Sequence, residues 1–493
     1  MLGTRTLLVV VMALAMMGLA CSTEEPDAPV AVATPFKPNP GTPSEAPLPN
    51  SWVVEFTDEG FVPKRLEVEV GQQVQFVNAS GSSLWPASSI HPTHQIFPEF
   101  DSGTPVGEDG VWAFTFEKPG FWRYHNHMVP EYSGLIVATG GDAVEFVEPL
   151  SLDIGDLNFK SPPDLTPKAL TDLFTNDVLL RQYIQDYGPA NTVKLVAEAG
   201  DVVGQLCHER AHVTGRTAYE LFGAAAFALS SHECEAGAYH GATEAMFKDR
   251  GTVNLESDVQ VICGGSDVFF FRLQCIHGVG HGLMAWTSYE LYDSLDLCDR
   301  LEIDRDQRAC YSGVFMENVV GGLSGTMGHF TDYLSDEDPH YPCNALTDRY
   351  VPSCYLFHST RMLLMFEYEY DQVADECANA PEYGRYECFE SFGRDLAASS
   401  LGNPAKGLKQ CHDTVDDPTH RVWCIQGSVQ ARFWEIGRAD EAIEMCSLAT
   451  SPQEKEGCSW MIVTRARELY PDRPSLEAFC ARLDVAYQAW CTR

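Results

Sequence analysis

The chain has no cysteine between Cys21 and Cys207, few basic side chains and no long apolar run. It carries 33 Lys and Arg against 70 Asp and Glu, for a formal net charge of -37 over 493 residues. Such a surface repels phosphate backbones, which excludes nucleic acid as a partner. No stretch reaches the ~20 apolar residues of a membrane-spanning helix, so the sequence predicts none.

The start of the chain is typical of a bacterial export signal. Arg5 precedes an apolar run from Leu7 to Ala20, and Cys21 follows directly. A short basic start, an apolar core and a small residue before the cut predict a cleaved signal peptide rather than a membrane span. The following cysteine resembles the lipobox of bacterial lipoproteins, although Gly18 stands where leucine is usual. We expect Cys21 to carry a lipid anchor; the alternative is ordinary cleavage that leaves a free thiol.

Most of the other cysteines form pairs at a nearly constant spacing. First members recur every 34 or 35 residues, with one interval of 45. This period is typical of a solenoid of helical hairpins. Cysteine-ligated zinc would need C-x2-4-C spacing, so disulfides are favoured. The predicted disulfides are Cys263–Cys275, Cys298–Cys310, Cys343–Cys354, Cys377–Cys388, Cys411–Cys424, Cys446–Cys458 and Cys480–Cys491.

These disulfides indicate an oxidising compartment, in agreement with the export signal. The arrangement resembles tetratricopeptide-like repeats, particularly the Sel-like variety whose cysteine-rich secreted members staple each repeat. The resemblance rests on period and architecture, and it implies a scaffold that binds a protein or ligand partner. Cys207 and Cys234 lack a partner at the usual spacing, and they either pair with each other or are free.

Residues 51–140 have a different character, with short alternating β-rich segments between Gly, Pro, Ser and Asp. This pattern predicts an antiparallel sandwich or barrel. The segments are Ser51–Phe56, Arg65–Val70, Gln73–Asn78, Trp112–Phe116 and Leu135–Ala138.

All four histidines before residue 208 lie in two short motifs of this β-rich region. His91 and His94 belong to one, and His125 and His127 to the other. On a strand, residues two apart project to the same face. Neutral imidazoles that converge from two loops suit Cu(II), Zn(II) or Ni(II). We therefore predict a metal site of His94, His125 and His127, with His91 as a fourth ligand; the alternative is scattered polar loop histidines.

The segment Glu117–Ala138, with its Pro-Gly turn, histidines and closing Ser-Gly-Leu-Ile-Val, resembles the metal-binding hairpin of cupredoxins. His94 then stands at that family's first histidine ligand, and the resemblance implies copper. This chain departs from the blue-copper pattern, because His125 replaces the thiolate and Tyr132 the axial methionine. Without a thiolate we expect a colourless site that binds or buffers metal rather than relaying electrons. Asp101 and Glu99 are candidates to orient the ligand imidazoles.

A second histidine cluster opens the helical region. His208-Glu209-x-x-His212 matches the zinc-protease signature H-E-x-x-H. His277 and His281 repeat the four-residue spacing, which lets one helix face offer two ligands. His240 and His281 each lie the same number of residues after the nearest preceding cysteine. Three readings stay open: a zinc hydrolase with Glu209 as base, a non-catalytic metal or ligand groove, and packing between hairpins.

The sequence thus predicts a multidomain exported lipoprotein, periplasmic or at the cell surface, which binds copper, with zinc as the other candidate metal. The alternatives are a zinc-dependent hydrolase and an electron-transfer copper protein. The predicted divisions are a signal peptide (1–20), a disordered tether (21–50), a cupredoxin-like antiparallel β-domain (51–145), a linker (146–164) and a disulfide-stapled α-helical solenoid (165–493).

Overall fold

A β-sandwich at the N-terminal side is followed by a helical region, which confirms the predicted fold class. The computed structural model describes residues 52–89, 94, 97–140, 150–155, 157–205, 207–234, 236–264, 268–321, 331–400, 403–434 and 436–492. The predicted signal peptide, lipid anchor at Cys21, tether and ligand His91 lie outside these residues. Within the described ranges, no helix is both long and apolar enough to cross a membrane.

Eight strands form the two sheets of the sandwich. In chain order they are β1 (Trp52–Thr57), β2 (Gly60–Val62), β3 (Arg65–Glu69), β4 (Gln73–Asn78), β5 (Pro86–Ser88), β6 (Val111–Thr115), β7 (Gly120–Asn126) and β8 (Val129–Thr139). One sheet has the order β2-β1-β4-β6 and the other β3-β8-β7-β5. Phe56, Phe76 and Phe100 are buried between the sheets, together with the Tyr124 ring.

The sandwich differs from the predicted antiparallel one in that each sheet is mixed, with one parallel pair of strands. Strand β1 pairs with β4 in parallel, and β3 pairs with β8 in parallel. The chain leaves the first sheet to form β3 in the second and returns for β4, so β4 runs in the direction of β1. Alternation of apolar and polar residues indicates which face of a strand is buried. This pattern is the same whether neighbouring strands run parallel or antiparallel, so it does not predict strand direction.

The helical region contains 19 α-helices in its described residues. They are α1 (Pro167–Thr175), α2 (Asp177–Tyr187), α3 (Pro189–Val203), α4 (His208–Phe222), α5 (Ala225–Leu229), α6 (Gly237–Arg250), α7 (Leu255–Cys263), α8 (Phe269–Trp286), α9 (Leu291–Cys298), α10 (Asp304–Met316), α11 (Val351–Met365), α12 (Tyr370–Asn379), α13 (Glu382–Ser399), α14 (Pro404–Thr414), α15 (Pro418–Arg432), α16 (Ala439–Leu448), α17 (Pro452–Leu469), α18 (Arg473–Cys480) and α19 (Val485–Gln488). A π-helical turn (Glu317–Gly321) continues α10, and 3-10 turns lie at Cys343–Ala345, Ile436–Arg438 and Ala489–Thr492.

Longer helices pack side by side in a continuous inner row, in the order α4, α6, α8, α10, α11, α13, α15 and α17. The row curves back on itself, because α17 also packs against α8. There the Arg465 guanidinium lies 4.5 Å above the Phe270 ring, and the Trp434 ring lies 5.1 Å from it. The inner helices therefore surround a shared interior.

Six disulfides join an outer helix or turn to the next helix of the inner row, and Cys480–Cys491 joins α18 to the last 3-10 turn. All seven pairs that the spacing predicts are present, from Cys263–Cys275 to Cys480–Cys491. The structure also pairs Cys207 with Cys234, which the sequence left open. In the chain-entropy model, each closed loop of about a dozen residues stabilises the fold by roughly 3 kcal/mol.

The β-sandwich contacts the helical region through β3 and β7. Arg123 on β7 donates to Glu290 over 2.7 Å and to the Ser288 carbonyl over 3.1 Å. Arg65 on β3 makes two hydrogen bonds to Asp293, of 2.7 and 3.1 Å. The strand that carries His125 is therefore fixed against the loop that follows α8.

Candidate metal centres

Three of the four predicted β-domain histidines converge at one end of the sandwich. His94, His125 and His127 each offer a ligand nitrogen, and these nitrogens all lie within 4.8 Å of one another. His94 Nε2 lies 3.0 Å from His127 Nδ1, and the His94 and His125 rings are 5.3 Å apart. His94 and His125 are buried, whereas His127 is half-buried. The fourth predicted ligand, His91, is outside the described residues.

The local fold that presents these rings differs from the predicted strand pair. His125 lies on β7, but His127 lies in the tight turn between β7 and β8. The register shifts at His125 and Asn126, which re-aims the following side chain. The two imidazoles therefore converge because the turn bends, and not because both project from one strand face.

Asp101 fixes the orientation of His94. Its Oδ2 lies 2.7 Å from His94 Nδ1, while Oδ1 accepts hydrogen bonds from the Trp85 indole and the Gly103 amide, both of 2.7 Å. Burial raises the pKa of Asp101, but the hydrogen bonds from Trp85, Gly103 and His94 outweigh it and lower the pKa below the usual value. An ionised Asp101 accepts the Nδ1 proton of His94, so the Nε2 lone pair faces the other histidines.

Two other residues of the cupredoxin resemblance lie elsewhere. Tyr132, at the position of the axial methionine, donates to the Asp58 carbonyl over 3.2 Å and packs edge-on against Phe56. Glu99 is exposed to solvent. Of the two predicted orienting carboxylates, only Asp101 contacts a histidine among the described residues.

The second predicted cluster also comes together. His208 and His212 on α4, His240 on α6, and His277 and His281 on α8 form what we call the helical histidine cluster. They make two groups of three potential ligands, and His240 belongs to both. His208 is half-buried, and the other members are buried.

Most members of the helical histidine cluster are anchored through Nδ1. His212 bonds Glu244 over 2.8 Å, and His281 bonds Glu317 over 2.7 Å. The remaining anchors are a carbonyl and a hydroxyl: His208 Nδ1 lies 2.9 Å from the Cys234 oxygen and His277 Nδ1 lies 2.8 Å from Ser312 Oγ. Four Nε2 atoms are thereby turned inward.

Burial and mutual repulsion keep three of these imidazoles neutral. They lower the pKa of His208 to about 3, and they hold the pKa of His240 and His277 well below the usual value. Burial also opposes a charge on His212, but Glu244 outweighs it and raises the pKa of His212. Neutral imidazoles whose lone pairs point to one centre can serve as metal ligands.

The H-E-x-x-H motif is present as a helical turn, with a third histidine near it. His208 and His212 lie 3.2 Å apart through their Nε2 atoms, and His240 Nδ1 is 3.3 Å from His212 Nε2. The sequence did not identify this third residue for the motif. Glu209, the predicted base of the hydrolase hypothesis, is exposed on the first turn of α4.

Sequence reasoning missed the anchors of the helical histidine cluster. Glu244 follows His240 by four residues, so the same helical spacing that singled out the histidines could have indicated it. Glu317 had no such signal, because it lies at the start of the π-helical turn after α10. A further group of Cys343, Cys354 and His358 is close in space, but its two cysteines are joined in a disulfide.

No family model matches the sequence, and no curated protein matches it. Solved structures that match part of the chain include cupredoxins. An amicyanin mutant in its Cu(I) form is 18% identical, covers 20% of this chain and 95% of its own, and has a TM-score of 0.19. A purple cupredoxin from Nitrosopumilus maritimus is 19% identical, covers 18% of this chain and 100% of its own, and has a TM-score of 0.16.

Proposed function

We propose that this protein is an exported, lipid-anchored metal-binding protein whose β-sandwich holds one copper ion. The ligands are His94, His125 and His127, with His91 as the fourth, and the helical region is a scaffold for a protein or ligand partner. One observation carries the proposal: three imidazoles offer nitrogens within 4.8 Å of one another, and a carboxylate orients one of them.

The donor set favours copper among the divalent ions. Imidazole suits zinc, copper and nickel, and affinity for a given nitrogen site is highest for Cu(II). Since residues 52–140 contain no cysteine, the site has no thiolate to give the intense colour and fast electron transfer of blue copper. Binding or buffering of copper therefore fits the donor set better than electron transfer.

Eight disulfides in the helical region support residence outside the cytosol, where an oxidising environment maintains them. The leader before Cys21 supports export with a lipid anchor. In a detergent phase separation of the expressed protein, we expect the wild type in the detergent-rich phase and Cys21→Ser in the aqueous phase. A wild type that stays in the aqueous phase would contradict the anchor.

Copper counting on the full chain tests the β-domain site. After loading with Cu(II) and dialysis, we expect the triple variant His94→Ala, His125→Ala, His127→Ala to retain one ion fewer than the wild type. His412→Ala, which removes an exposed histidine of α14, should retain the wild-type number. Equal copper in wild type and triple variant would refute the site, and an intense visible charge-transfer band in the wild type would contradict a thiolate-free donor set.

A zinc-dependent hydrolase is the second candidate, because His240 supplies a third ligand beside His208 and His212. In that case Glu209→Gln keeps zinc bound while hydrolysis of a peptide or ester is abolished. Hydrolysis that is absent from the zinc-loaded wild type would remove this candidate.

A further inference from the structure

The anchors of the first histidine pair define where its protons are. The Cys234 carbonyl can only accept, so His208 carries its proton on Nδ1, and its Nε2 is a lone pair. Glu244 accepts a hydrogen bond from Arg216 through one carboxylate oxygen, and its other oxygen lies 2.8 Å from His212 Nδ1 and accepts the proton of that nitrogen. The two Nε2 atoms lie 3.2 Å apart, so two lone pairs face each other when both rings are neutral.

The second pair repeats this arrangement on α8. The Ser312 hydroxyl donates its only proton to the Ala309 carbonyl over 2.7 Å, so its oxygen must accept from His277 Nδ1. Glu317 holds His281 through Nδ1 in the same way that Glu244 holds His212. The Nε2 atoms of His277 and His281 are 3.1 Å apart, so here too two lone pairs face each other when both rings are neutral.

His240 lies between the two pairs. Its ring is stacked on that of His281 at 4.3 Å and 10°, and its Nδ1 is 3.3 Å from His212 Nε2. Its Nε2 is buried without a hydrogen-bond partner, and the residue is only 1% exposed. An imidazole has one nitrogen on either side of the ring, so a deprotonated His240 can serve both groups at once. Its ring must turn out of the stack on His281 to share an ion with that residue, because each lone pair lies in the plane of its own ring.

The nitrogen separations match those of neighbouring ligands on one ion. At a bond length of ~2.0–2.1 Å, two ligand nitrogens are about 2.9 Å apart at a right angle and about 3.4 Å apart at the tetrahedral angle. The observed separations of 3.1, 3.2 and 3.3 Å lie between these limits. A cation bound between these lone pairs would remove their mutual repulsion, and the inward-facing nitrogens would be its ligands.

We infer that the helical histidine cluster is a dinuclear site for late first-row divalent metal ions, with His240 as an imidazolate bridge whose ring proton is released to solvent when the second ion binds. One ion is held by His208, His212 and His240 Nδ1, and the other by His277, His281 and His240 Nε2. With three protein nitrogens each, both ions keep a coordination position for water or a small ligand. The site is separate from the β-domain site and does not depend on it.

Metal counting tests the number of ions. The full chain with His94→Ala, His125→Ala and His127→Ala removes the β-domain site from the count. Loaded with Zn(II) alone or Cu(II) alone and dialysed, it should retain two ions per chain. Adding His277→Gln should leave one ion, whereas adding His232→Gln, a histidine stacked on Phe271 outside the cluster, should leave two. If the chain without the β-domain histidines, and with no further change, retains one ion or none, the dinuclear site is refuted.

Electron paramagnetic resonance tests the bridge without changing the cluster. In the dicopper form, coupling through the imidazole should make the integrated signal smaller than two isolated Cu(II) ions give at low temperature. Replacing one copper by zinc should restore a full single-copper signal. Two uncoupled signals in the dicopper form would overturn the bridge. His240→Gln, with its fold checked by circular dichroism, should abolish any coupling.

Discussion

At the scale of single residues, both proposed metal sites depend on side chains that are not among the proposed ligands. Asp101 sets the tautomer of His94, and Glu244 and Glu317 set those of His212 and His281. Each carboxylate accepts the proton of one ring nitrogen, so the other nitrogen is left as a ligand. The ligand histidines could be identified from the sequence, but these partners depend on distances that only the fold creates.

Asp101→Asn should weaken copper binding at the β-domain site without removing it. The amide keeps the shape of the carboxylate but loses its charge, and loss of such a partner typically lowers metal affinity ~10- to 100-fold. Competition with a chelator of known affinity measures the change. Glu99→Gln, an exposed carboxylate in the same loop, is the matched control and should bind as the wild type does. Equal affinities of the two variants would contradict the orienting role of Asp101.

Glu387 on α13 gives a pH dependence whose sign follows from its burial. Burial, and then repulsion from Glu390, raise its pKa from 4.5 to about 7. Between these values the unfolded chain releases the proton and the folded chain keeps it, so the wild type loses stability as pH rises. The unfolding free energy of Glu387→Gln, relative to that of the wild type, should therefore increase between pH 5 and pH 8. The increase should be roughly 1–2 kcal/mol, given the partial exposure of Glu387.

Denaturant unfolding at both pH values measures this change. Glu382→Gln, an exposed carboxylate on the first turn of the same helix, should show no such pH-dependent gain. An equal difference between Glu387→Gln and wild type at pH 5 and pH 8 would show that Glu387 has the same pKa in both states.

At the scale of helices, glycines set how closely the inner row packs. A Cβ on Gly427 of α15 would lie 1.8 Å from the Glu390 carbonyl oxygen of α13, and one on Gly393 would lie 1.9 Å from the Cys424 oxygen. The same backbone contact recurs between α4 and α6 at Gly215 and Gly241. These contacts bring helices together along the row, including those that present the histidines.

Gly427→Ala should destabilise the helical region, although alanine is the better helix former by about 1 kcal/mol. The new methyl group forces α15 away from α13, and overpacking of this kind typically costs ~1–3 kcal/mol or more. Thermal unfolding followed by helical circular dichroism measures the loss. Gly437→Ala has no neighbour within 4 Å of the added atom and should leave the midpoint unchanged. Equal midpoints for the two variants would contradict close packing at Gly427.

The elements themselves were partly predictable. The strands Gln73–Asn78 and Arg65–Glu69 follow the predicted segments closely, because alternation of apolar side chains records burial directly. The three-residue β2 and β5 were not predicted, since so short a segment has no period to detect. Strand β7, which carries His125, was predicted only from the two-residue spacing of its histidines and the hairpin resemblance, because its polar and aromatic residues obscure the alternation.

At the scale of the whole molecule, the contact between the sandwich and the helices is polar. Arg123 and Glu290 form an ion pair whose side chains are only 11% and 14% exposed. Glu290 also accepts a hydrogen bond of 2.7 Å from the Tyr333 hydroxyl. The pair is therefore enclosed, and either charge would be costly to leave without its partner.

Arg123→Gln should destabilise the docking of the sandwich, because it leaves Glu290 charged and buried. Loss of one partner of a buried pair costs about 3–5 kcal/mol. The unfolding free energy of the full chain measures it. Lys64→Gln breaks an ion pair across the same interface to Asp332, with both side chains largely exposed, and should cost less than about 1 kcal/mol. Similar losses for the two variants would contradict this difference in burial.

The sequence by itself determined the two-part fold and seven of the disulfides, because both are written in local periods: alternation in strands and the spacing of cysteines along the chain. It also singled out the histidines of both clusters. Only the tertiary structure decided that β1 and β4 run in parallel, that Cys207 pairs with Cys234, and that His240 stands between two pairs of imidazoles. These features depend on which helices and strands pack against one another, and no local pattern in the sequence indicates which ones do.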